Sequence, residues 1–338
     1  MSKRILYAII CILVISILGA CKSDPPVVKD DDKKVETPGQ KKPFAKVPRF
    51  NRDSAYAYIE KQVAFGPRVP NTAAHTACKN WLVSKFKSFG ATVIADDFEA
   101  KGYTGTTYKA TNIIAQYNPG HAKRILLAAH WDTRFIGDYD KDEAKQKDPI
   151  PGADDGGSGV GVLLEIARLL GENSIDMGVD IILFDVEDQG EGKGLETTWC
   201  LGAQHWAKNP HVSGYRAEFG ILLDMVGSKG ARFTREGISM QVAPDVVNKM
   251  WKLAQNMGYG NFFVMDQTRE IIDDHYFVNK YSKTRMIDVI NRPASTQTGF
   301  GHYWHTHDDD MDVINKSTLR AVGQTVLAVL YRSSDGSF

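Results

Sequence analysis

The sequence predicts a three-layer α/β/α sandwich built around a central mixed β-sheet. Short, wholly apolar runs typical of buried strands alternate with longer stretches of helical spacing, which is the pattern of an α/β fold. Two other runs alternate apolar and polar side chains, as strands at an antiparallel edge do. The 338 residues are 43% hydrophobic, enough for a sizeable core. We therefore expect a single domain from about residue 49 to 338.

The individual elements follow from these periods. Helical spacing predicts helices at 51–65, 71–89, 157–170, 199–207, 246–257 and 316–331. Apolar runs predict central strands at 125–129, 179–185 and 219–224, and alternation predicts edge strands at 91–98 and 110–117. Gly90 is expected to end the second helix. In open α/β sheets ligands lie beyond the carboxyl ends of the strands, where His130, Glu187 and Asp224 fall.

The amino-terminal stretch is predicted to be a signal peptide. Lys3 and Arg4 precede an apolar run at 5–20, which is shorter than a membrane-spanning helix and fits a signal-peptide core. The run ends in LGAC at 18–21, which resembles the lipobox of bacterial lipoproteins. That resemblance implies cleavage before Cys21 and lipidation of its thiol. The alternative is a plain secretory signal.

Residues 21–48 are predicted to be a flexible tether, because they are rich in Lys, Asp and Pro and nearly free of apolar side chains. Removal of residues 1–20 changes the balance of 41 basic and 41 acidic residues to a net charge of −2. This balance, without a basic stripe, excludes nucleic acid as a partner. We expect a domain in the bacterial cell envelope, most simply facing the periplasm, that meets the membrane only through a lipid anchor at Cys21.

Cys78 and Cys200 are expected to be buried small hydrophobes. An oxidising periplasm would permit a disulfide between them, and the sequence leaves that pairing open. Neither has a second cysteine at ligand spacing, which argues against a cysteine-based zinc site.

Chemistry-bearing residues occur in five short clusters. They are AHWD at 129–132, GADDG at 152–156, DVED at 185–188, LDM at 223–225 and WHT at 304–306. A buried strand that ends in an acid or a histidine needs a partner for that group. A metal ion would partner several of these groups at once.

The residues themselves leave some assignments open. Of Asp154 and Asp155, we expect one to cap the helix that begins near Gly157 and the other to bind a ligand. Of Glu187 and Asp188, one would face a metal and the other the reacting group, because adjacent ionised carboxylates repel.

The stretch YWHTHDD at 303–309 offers two histidines to a metal. His305 follows a large aromatic residue and precedes carboxylates, which favours a functional role over a structural one. On chemistry alone, either His305 or His307 could be the ligand.

In this order the five clusters resemble the zinc-dependent M28 aminopeptidase-like family over nearly the whole chain after residue 50. Within that family the chain is most similar to the glutaminyl cyclases. Trp304 directly precedes His305, Phe300 lies four residues before Trp304, and Ile271 lies two before Asp273. Two longer motifs add to the likeness: HWDTR at 130–134 and DDH at 273–275.

The resemblance implies an aminopeptidase-like fold and one zinc ion per chain, held by Asp155, Asp188 and His305. It implies that Glu187 is the general acid/base and that Asp224 and Asp273 form a hydrogen-bonded relay of carboxylates. It also implies a substrate pocket of Trp304, Phe300, Ile271 and, as a nearby candidate, Trp199. Three further residues remain as neighbours of the site or ligands of a second metal: His130, Asp132 and Asp288.

The chain departs from the animal cyclases at two positions. Asp188 stands where they have Glu, and the resemblance implies that its shorter side chain would still ligate zinc. Asp288 stands where they have His, which leaves the details of the proton relay open. The pocket tryptophan that follows the acid/base pair in the animal enzymes has no exact counterpart, and Trp199 is the candidate.

The activity implied is cyclisation of the amino-terminal Gln of peptides and proteins to pyroglutamate with release of ammonia. The alternative is a di-zinc aminopeptidase, because His130, Asp132 and Asp224 are present for a second metal. A catalytically silent binding domain would require broken ligand sets, and this chain breaks none.

Overall fold

The computed structural model describes residues 46–192 and 194–338. The predicted signal peptide at 1–20, Cys21 and most of the tether at 21–48 lie outside these residues. Among the described residues, no helix combines the length and apolar character needed to cross a membrane.

The strands form one mixed sheet and one small ribbon. The described residues contain eight strands: β1 (Thr92–Lys101), β2 (Thr107–Tyr117), β3 (Arg124–His130), β4 (Gly178–Phe184), β5 (Gly220–Asp224), β6 (Phe233–Arg235), β7 (Phe263–Gln267) and β8 (Met286–Ile290). The main sheet has the order β1-β2-β4-β3-β5-β8, and β6 pairs with β7. The ladders β1–β2 and β2–β4 are antiparallel, and those joining β4, β3, β5 and β8 are parallel.

Helices cover both faces of this sheet. They are α1 (Arg52–Val63), α2 (Ala73–Ser88), α3 (Gly157–Glu172), α4 (Leu201–Lys208), α5 (Gly237–Val242), α6 (Pro244–Asn256), α7 (Asp274–Tyr281) and α8 (Lys316–Asp335), with 3₁₀ turns at Glu196–Thr198 and Met311–Val313.

The central strands are buried on both sides because their side chains alternate between two cores. In β4, Val179 and Ile181 join the core beneath α1, α2, α3, α6 and α8, whereas Ile182 and Phe184 join the core beneath α4 and α7. Gly161 lets α3 pack closely on α1, since a Cβ at that position would lie 2.5 Å from Ile59 Cγ1. The three-layer α/β/α architecture with a mixed sheet confirms the predicted fold class.

Each of the predicted helices and strands is present, with ends displaced by no more than four residues, the largest displacement being at the end of α8. The sequence reasoning missed β6, β7, β8, α5 and α7. In β8 the buried Asp288 interrupts an otherwise apolar run of five residues, which hid the strand. Gly90, at φ 83°, follows the C-cap residue Phe89 and ends α2 as predicted.

Candidate active site

The parallel strands bring three of the five clusters to one edge of the sheet. His130 is the last residue of β3, Asp224 is the last residue of β5, and Asp185 directly follows β4. These strands are parallel neighbours, so their carboxyl ends lie together. The adjacent polar ends form the floor of a site, as expected for an open α/β sheet.

Asp155, Asp188 and His305 form what we call the metal cluster. Their ligand atoms all lie within 4.8 Å of one another, and all three residues are buried. His305 Nε2 lies 3.1 Å from Asp188 Oδ1 and 3.9 Å from Asp155 Oδ2. Within the described part of the chain, the buried Asp188 Oδ2 has no hydrogen-bond partner. Two carboxylates, one imidazole and an orphaned buried oxygen suit a zinc ion with an open coordination position.

The other histidine candidate has a different partner. His307 Nδ1 lies 2.8 Å from Asp140 Oδ2, and the His307 backbone N–H donates to the same oxygen at 3.0 Å. His307 is therefore engaged outside the metal cluster, and the structure brings His305 into it instead.

A second triplet of ligand atoms shares Asp155. His130, Asp155 and Asp224 also place their ligand atoms within 4.8 Å of one another. His130 Nε2 lies 3.0 Å from Asp155 Oδ1 and 3.2 Å from Asp224 Oδ1. The geometry thus retains the donors of a second metal beside the first.

Asp132 lies behind this triplet. Its carboxylate accepts the backbone N–H groups of Glu187 and Asp188 at 3.0 and 3.2 Å. It also lies 3.5 Å from His130 Nδ1. Asp132 therefore supports the turn after β4 and orients His130, with its oxygens already engaged.

The prediction that Asp154 or Asp155 caps α3 is wrong. The residue before the helix is Gly156, at φ 78°, and α3 has no side-chain cap. The Asp309 carboxylate instead accepts the N–H groups of Asp154 and Asp155 at 2.8 and 3.1 Å. Asp154 accepts from the N–H of Gly227 and from the Tyr303 hydroxyl. These long-range bonds turn both side chains away from the helix end and direct Asp155 into the metal cluster.

Glu187 faces the same site from the turn after β4. Its side chain is 12% exposed, and the Cys200 thiol donates to Glu187 Oε1 at 3.1 Å. Burial, together with the neighbouring Asp188, raises the pKa of Glu187 well above its usual value. A carboxyl group with a raised pKa is suited to taking up and returning a proton near neutral pH.

Backbone strain is concentrated at this site. The described residues other than glycine include six with positive φ, and four of them adjoin the site: Val186, Cys200, Met225 and His305, at φ 56°, 56°, 47° and 57°. A β-branched residue such as Val186 adopts this conformation only where its surroundings impose it. At Val186 the chain reverses after β4 and presents Glu187 and Asp188 to the site.

Behind Glu187 lies a set of buried titratable residues that we call the acid cluster: Glu236, Asp273, Asp274, His275 and Asp288. Ligand atoms of Glu187, Cys200 and Asp273 lie within 4.8 Å of one another, as do those of Asp273, His275 and Asp288. His275 Nε2 lies 3.1 Å from Glu236 Oε2, and His275 Nδ1 lies 3.8 Å from Asp288 Oδ2.

Most of the carboxyls here have raised pKa values. Burial, and then the charge of Asp273, raises the pKa values of Asp274 and Asp288 well above the usual range. Burial also raises the pKa of Asp224 to about 8. Glu236 is the exception, because His275 and two backbone N–H groups outweigh its burial and lower its pKa to about 2. Asp224 is therefore mainly protonated at neutral pH, and the environment of Asp274 and Asp288 favours their protonated forms, whereas Glu236 is ionised.

The site contains a cavity of about 400 Å³. Glu187, Asp224, Asp273 and the metal cluster line it, and so do all four predicted pocket residues: Trp199, Ile271, Phe300 and Trp304. The Trp304 ring stacks on His305 with centroids 3.7 Å apart, and Phe300 packs on Trp304 at 4.6 Å. His130, Asp132 and Asp288, which were predicted as neighbours, lie beneath or behind this lining.

Sequence reasoning missed three contributors. Cys200 is a buried side chain as expected, but its thiol also bonds to Glu187, and both Cys78 and Cys200 are free. Asp309 belongs to the acidic stretch after His305, and that stretch was the available signal. No sequence feature indicated a role for Glu236, because its partners Ile271 and His275 are distant in sequence.

The fold and site define a zinc-exopeptidase-like protein, and sequence comparison gives its family. A model of peptidase family M28 matches residues 112–330, more than half of the chain. The chain belongs to peptidase family M28, as the five clusters predicted.

Individual relatives within and beyond this family model indicate which of its members the chain is similar to. A glutaminyl cyclase of Bacteroides thetaiotaomicron, solved with N-acetylhistamine, is 51% identical with a TM-score of 0.82 over 85% of this chain and 99% of that one. A zinc-dependent exopeptidase from Parabacteroides distasonis is 50% identical with a TM-score of 0.84 over the same shares of the two chains. The glutaminyl-peptide cyclotransferase of Drosophila melanogaster is 24% identical over 275 residues, which cover 75% of this chain and 73% of that protein.

Proposed function

We propose that the protein is a glutaminyl cyclase that converts the amino-terminal Gln of peptides and proteins to pyroglutamate and releases ammonia. The observation that carries the proposal is the single cavity in which Glu187 faces both the metal cluster and Asp273 of the acid cluster. The 51% sequence identity to the solved glutaminyl cyclase of Bacteroides thetaiotaomicron supports the same activity.

The donors fit one zinc ion per chain, held by Asp155, Asp188 and His305. When bound, zinc supplies a Lewis acid that polarises the γ-carboxamide of the substrate glutamine. The orphaned Asp188 Oδ2 and the buried position of all three donors support this ligand set.

Glu187 moves the proton. Its carboxylate accepts a proton from the substrate α-amine as the amine nitrogen attacks the carbonyl carbon (Cδ) of the γ-carboxamide. The same carboxyl then returns the proton to the amide nitrogen, which leaves as ammonia. One group thus acts as base and then as acid, and Cys200 holds its Oε1 in place.

Asp224 and Asp273 face the cavity next to Glu187. Asp224, with its pKa raised to about 8 by burial, has a proton to donate in a hydrogen bond at neutral pH. We assign the pair to hold the substrate amine and the leaving nitrogen in line with Glu187.

The apolar walls orient the substrate. The cavity is lined by Trp199, Ile271, Phe300 and Trp304. With a substrate bound, these side chains would shield the reacting centre from water. Attack within one glutamine residue closes a five-membered ring, and such intramolecular arrangements are worth roughly 7–11 kcal/mol. The reaction needs no water nucleophile, which accounts for one metal being sufficient.

A Gln-initiated peptide incubated with residues 22–338 tests the proposal by mass spectrometry. We expect loss of one ammonia with every residue of the peptide retained. Release of the first residue as a free amino acid would instead establish an aminopeptidase.

The second candidate is that di-zinc aminopeptidase, and the triplet His130, Asp155 and Asp224 favours it. It requires two zinc ions per chain, so zinc content measured by mass spectrometry on the purified protein separates the two candidates. We expect one zinc per chain.

We also propose that the mature protein is anchored in the bacterial cell envelope, facing the periplasm, through a lipid on Cys21. The LGAC sequence at 18–21 after an apolar run supports this. Cys21→Ser should move the protein from the membrane fraction to the soluble fraction, and an unchanged distribution would contradict the anchor.

A further inference from the structure

The loop at 136–151 is rich in Asp and Lys, and the sequence assigns it no role. In the structure its residues Asp138, Tyr139 and Asp140 run alongside the segment that carries His305. Tyr139 N–H donates to the His305 carbonyl at 3.2 Å, and its ring lies 4.7 Å from that of Trp304. The loop therefore contacts both His305 and the cavity residue Trp304.

Asp138 approaches the ring of His305 itself. Its Oδ1 lies 3.2 Å from His305 Nδ1, the nitrogen that does not face the metal cluster. The two atoms are close, but their geometry does not meet that of a hydrogen bond, and the buried Nδ1 has no other hydrogen-bond partner in the described chain. Asp138 is thus an acceptor within reach of that N–H.

Asp138 is itself held rigidly. Arg134 Nε donates to its Oδ1 at 2.7 Å, and Arg134 Nη2 donates to its Oδ2 at 2.8 Å. Arg134 is buried and also donates to the carbonyls of Asp188 and Gly190 at 3.1 Å. One guanidinium therefore ties Asp138 to the backbone of a second member of the metal cluster.

We propose that Asp138 is a positioning residue for His305, which keeps the proton on Nδ1 and leaves Nε2 free to bind the metal. Metal-binding histidines commonly donate their other ring N–H to a carboxylate, which orients the ring and raises its basicity. The inference rests on the metal centre of the proposed function, and it holds for either activity of that centre.

Asp138→Asn tests it through zinc binding, without turnover. Asn keeps the size of the side chain but removes the negative charge beside Nδ1. We expect the zinc dissociation constant, measured by competition with a chromophoric chelator, to rise about 10- to 100-fold. The visible absorption of the Co²⁺-substituted protein should change as well, because the ring of a ligand is displaced.

Asp140→Asn is the matched control. It makes the same chemical change two residues away, at a carboxylate that contacts His307 and not a metal donor. We expect its zinc dissociation constant to stay within about threefold of the wild type and its Co²⁺ spectrum to be unchanged. This comparison separates orientation of His305 from general attachment of the loop.

The experiment distinguishes a failure of the inference about Asp138 from a failure of the metal centre itself. Equal zinc affinities of the Asp138→Asn variant and the wild type, or an equal loss in both variants, would overturn the role of Asp138 and leave the metal centre intact. A wild-type chain that binds no zinc would overturn the metal centre and this inference together. Thermal unfolding of the zinc-free variants checks that each is folded.

Discussion

The metal cluster and the acid cluster are two neighbouring sets of buried carboxylates that differ in the partners of their acidic groups. In the metal cluster, the hydrogen bond from His130 outweighs burial and lowers the pKa of Asp155, whereas burial raises the pKa of Asp188. In the acid cluster, four carboxyl groups surround the single imidazole of His275, and the pKa values of Asp274 and Asp288 are well above the usual range.

The difference shows that the partners of a carboxylate, more than its burial, determine its chemistry. The lowered pKa of Asp155 favours the ionised form, which suits a cation, whereas the raised pKa values of Asp274 and Asp288 favour the protonated form, which can donate a hydrogen bond. Glu187 lies between the two sets and has a raised pKa, which suits a group that exchanges protons. The following variants test this division, from the largest expected effect to the smallest.

Asp155→Ala should abolish both zinc binding and activity, because it removes the donor shared by both ligand triplets. Asp288→Asn, the matched change in the acid cluster, should keep one zinc per chain because Asp288 lies outside both triplets. Zinc content by mass spectrometry checks both. Full zinc occupancy in Asp155→Ala would remove Asp155 from the ligand set.

Glu187→Gln should keep zinc but lower kcat for Gln-initiated peptides by roughly 10²- to 10⁴-fold, the usual contribution of a general acid/base. Gln keeps the shape of the side chain and cannot take up the substrate proton. Steady-state release of ammonia measures the rate. Normal turnover by this variant would show that Glu187 is not the acid/base.

Glu236→Gln should lower the free energy of unfolding by about 3 kcal/mol at neutral pH, because the folded protein lowers the pKa of Glu236 from 4.5 to about 2. A lowered folded-state pKa means that folding favours the ionised form. The contribution is therefore complete above about pH 4.5 and decreases as the pH falls toward 2.

Urea unfolding of wild type and variant between pH 7 and pH 3 measures that difference. Glu172→Gln is the control, since Glu172 pairs with Arg168 at 2.6 Å on the surface and is 58% exposed. It should change stability little at any pH. If the difference in free energy of unfolding between wild type and Glu236→Gln did not shrink at low pH, its assignment to ionised Glu236 would be contradicted.

Cys200→Ala should lower kcat by up to about tenfold with KM unchanged, because it removes one hydrogen bond, worth about 1 kcal/mol, to Glu187. Cys200→Ser retains a donor and should keep more of the activity. Kinetics of the two variants on one peptide measure the effect. Equal rates for Ala and wild type would assign Cys200 to packing alone.

Much of this site could be predicted because its residues follow elements with strong periodicity. His130 and Asp224 end buried apolar strands, and Trp304 directly precedes His305. The direction in which a side chain points beyond the end of a strand or before a helix depends on backbone geometry, which local sequence patterns do not encode. The prediction that Asp154 or Asp155 caps α3 was wrong, because Gly156 at φ 78° precedes the helix and the backbone N–H groups of both aspartates donate to Asp309.

The sequence by itself determined the α/β class, the order of the strands' polar ends and the family, because periodicity and motif order are local properties of the chain. The tertiary structure alone decided what Cys200 contacts and how the loop at 136–151 reaches His305. Those contacts join residues far apart in sequence, and only packing brings them together. The raised and lowered pKa values follow from the same contacts, because burial and neighbouring charge exist only in the folded chain.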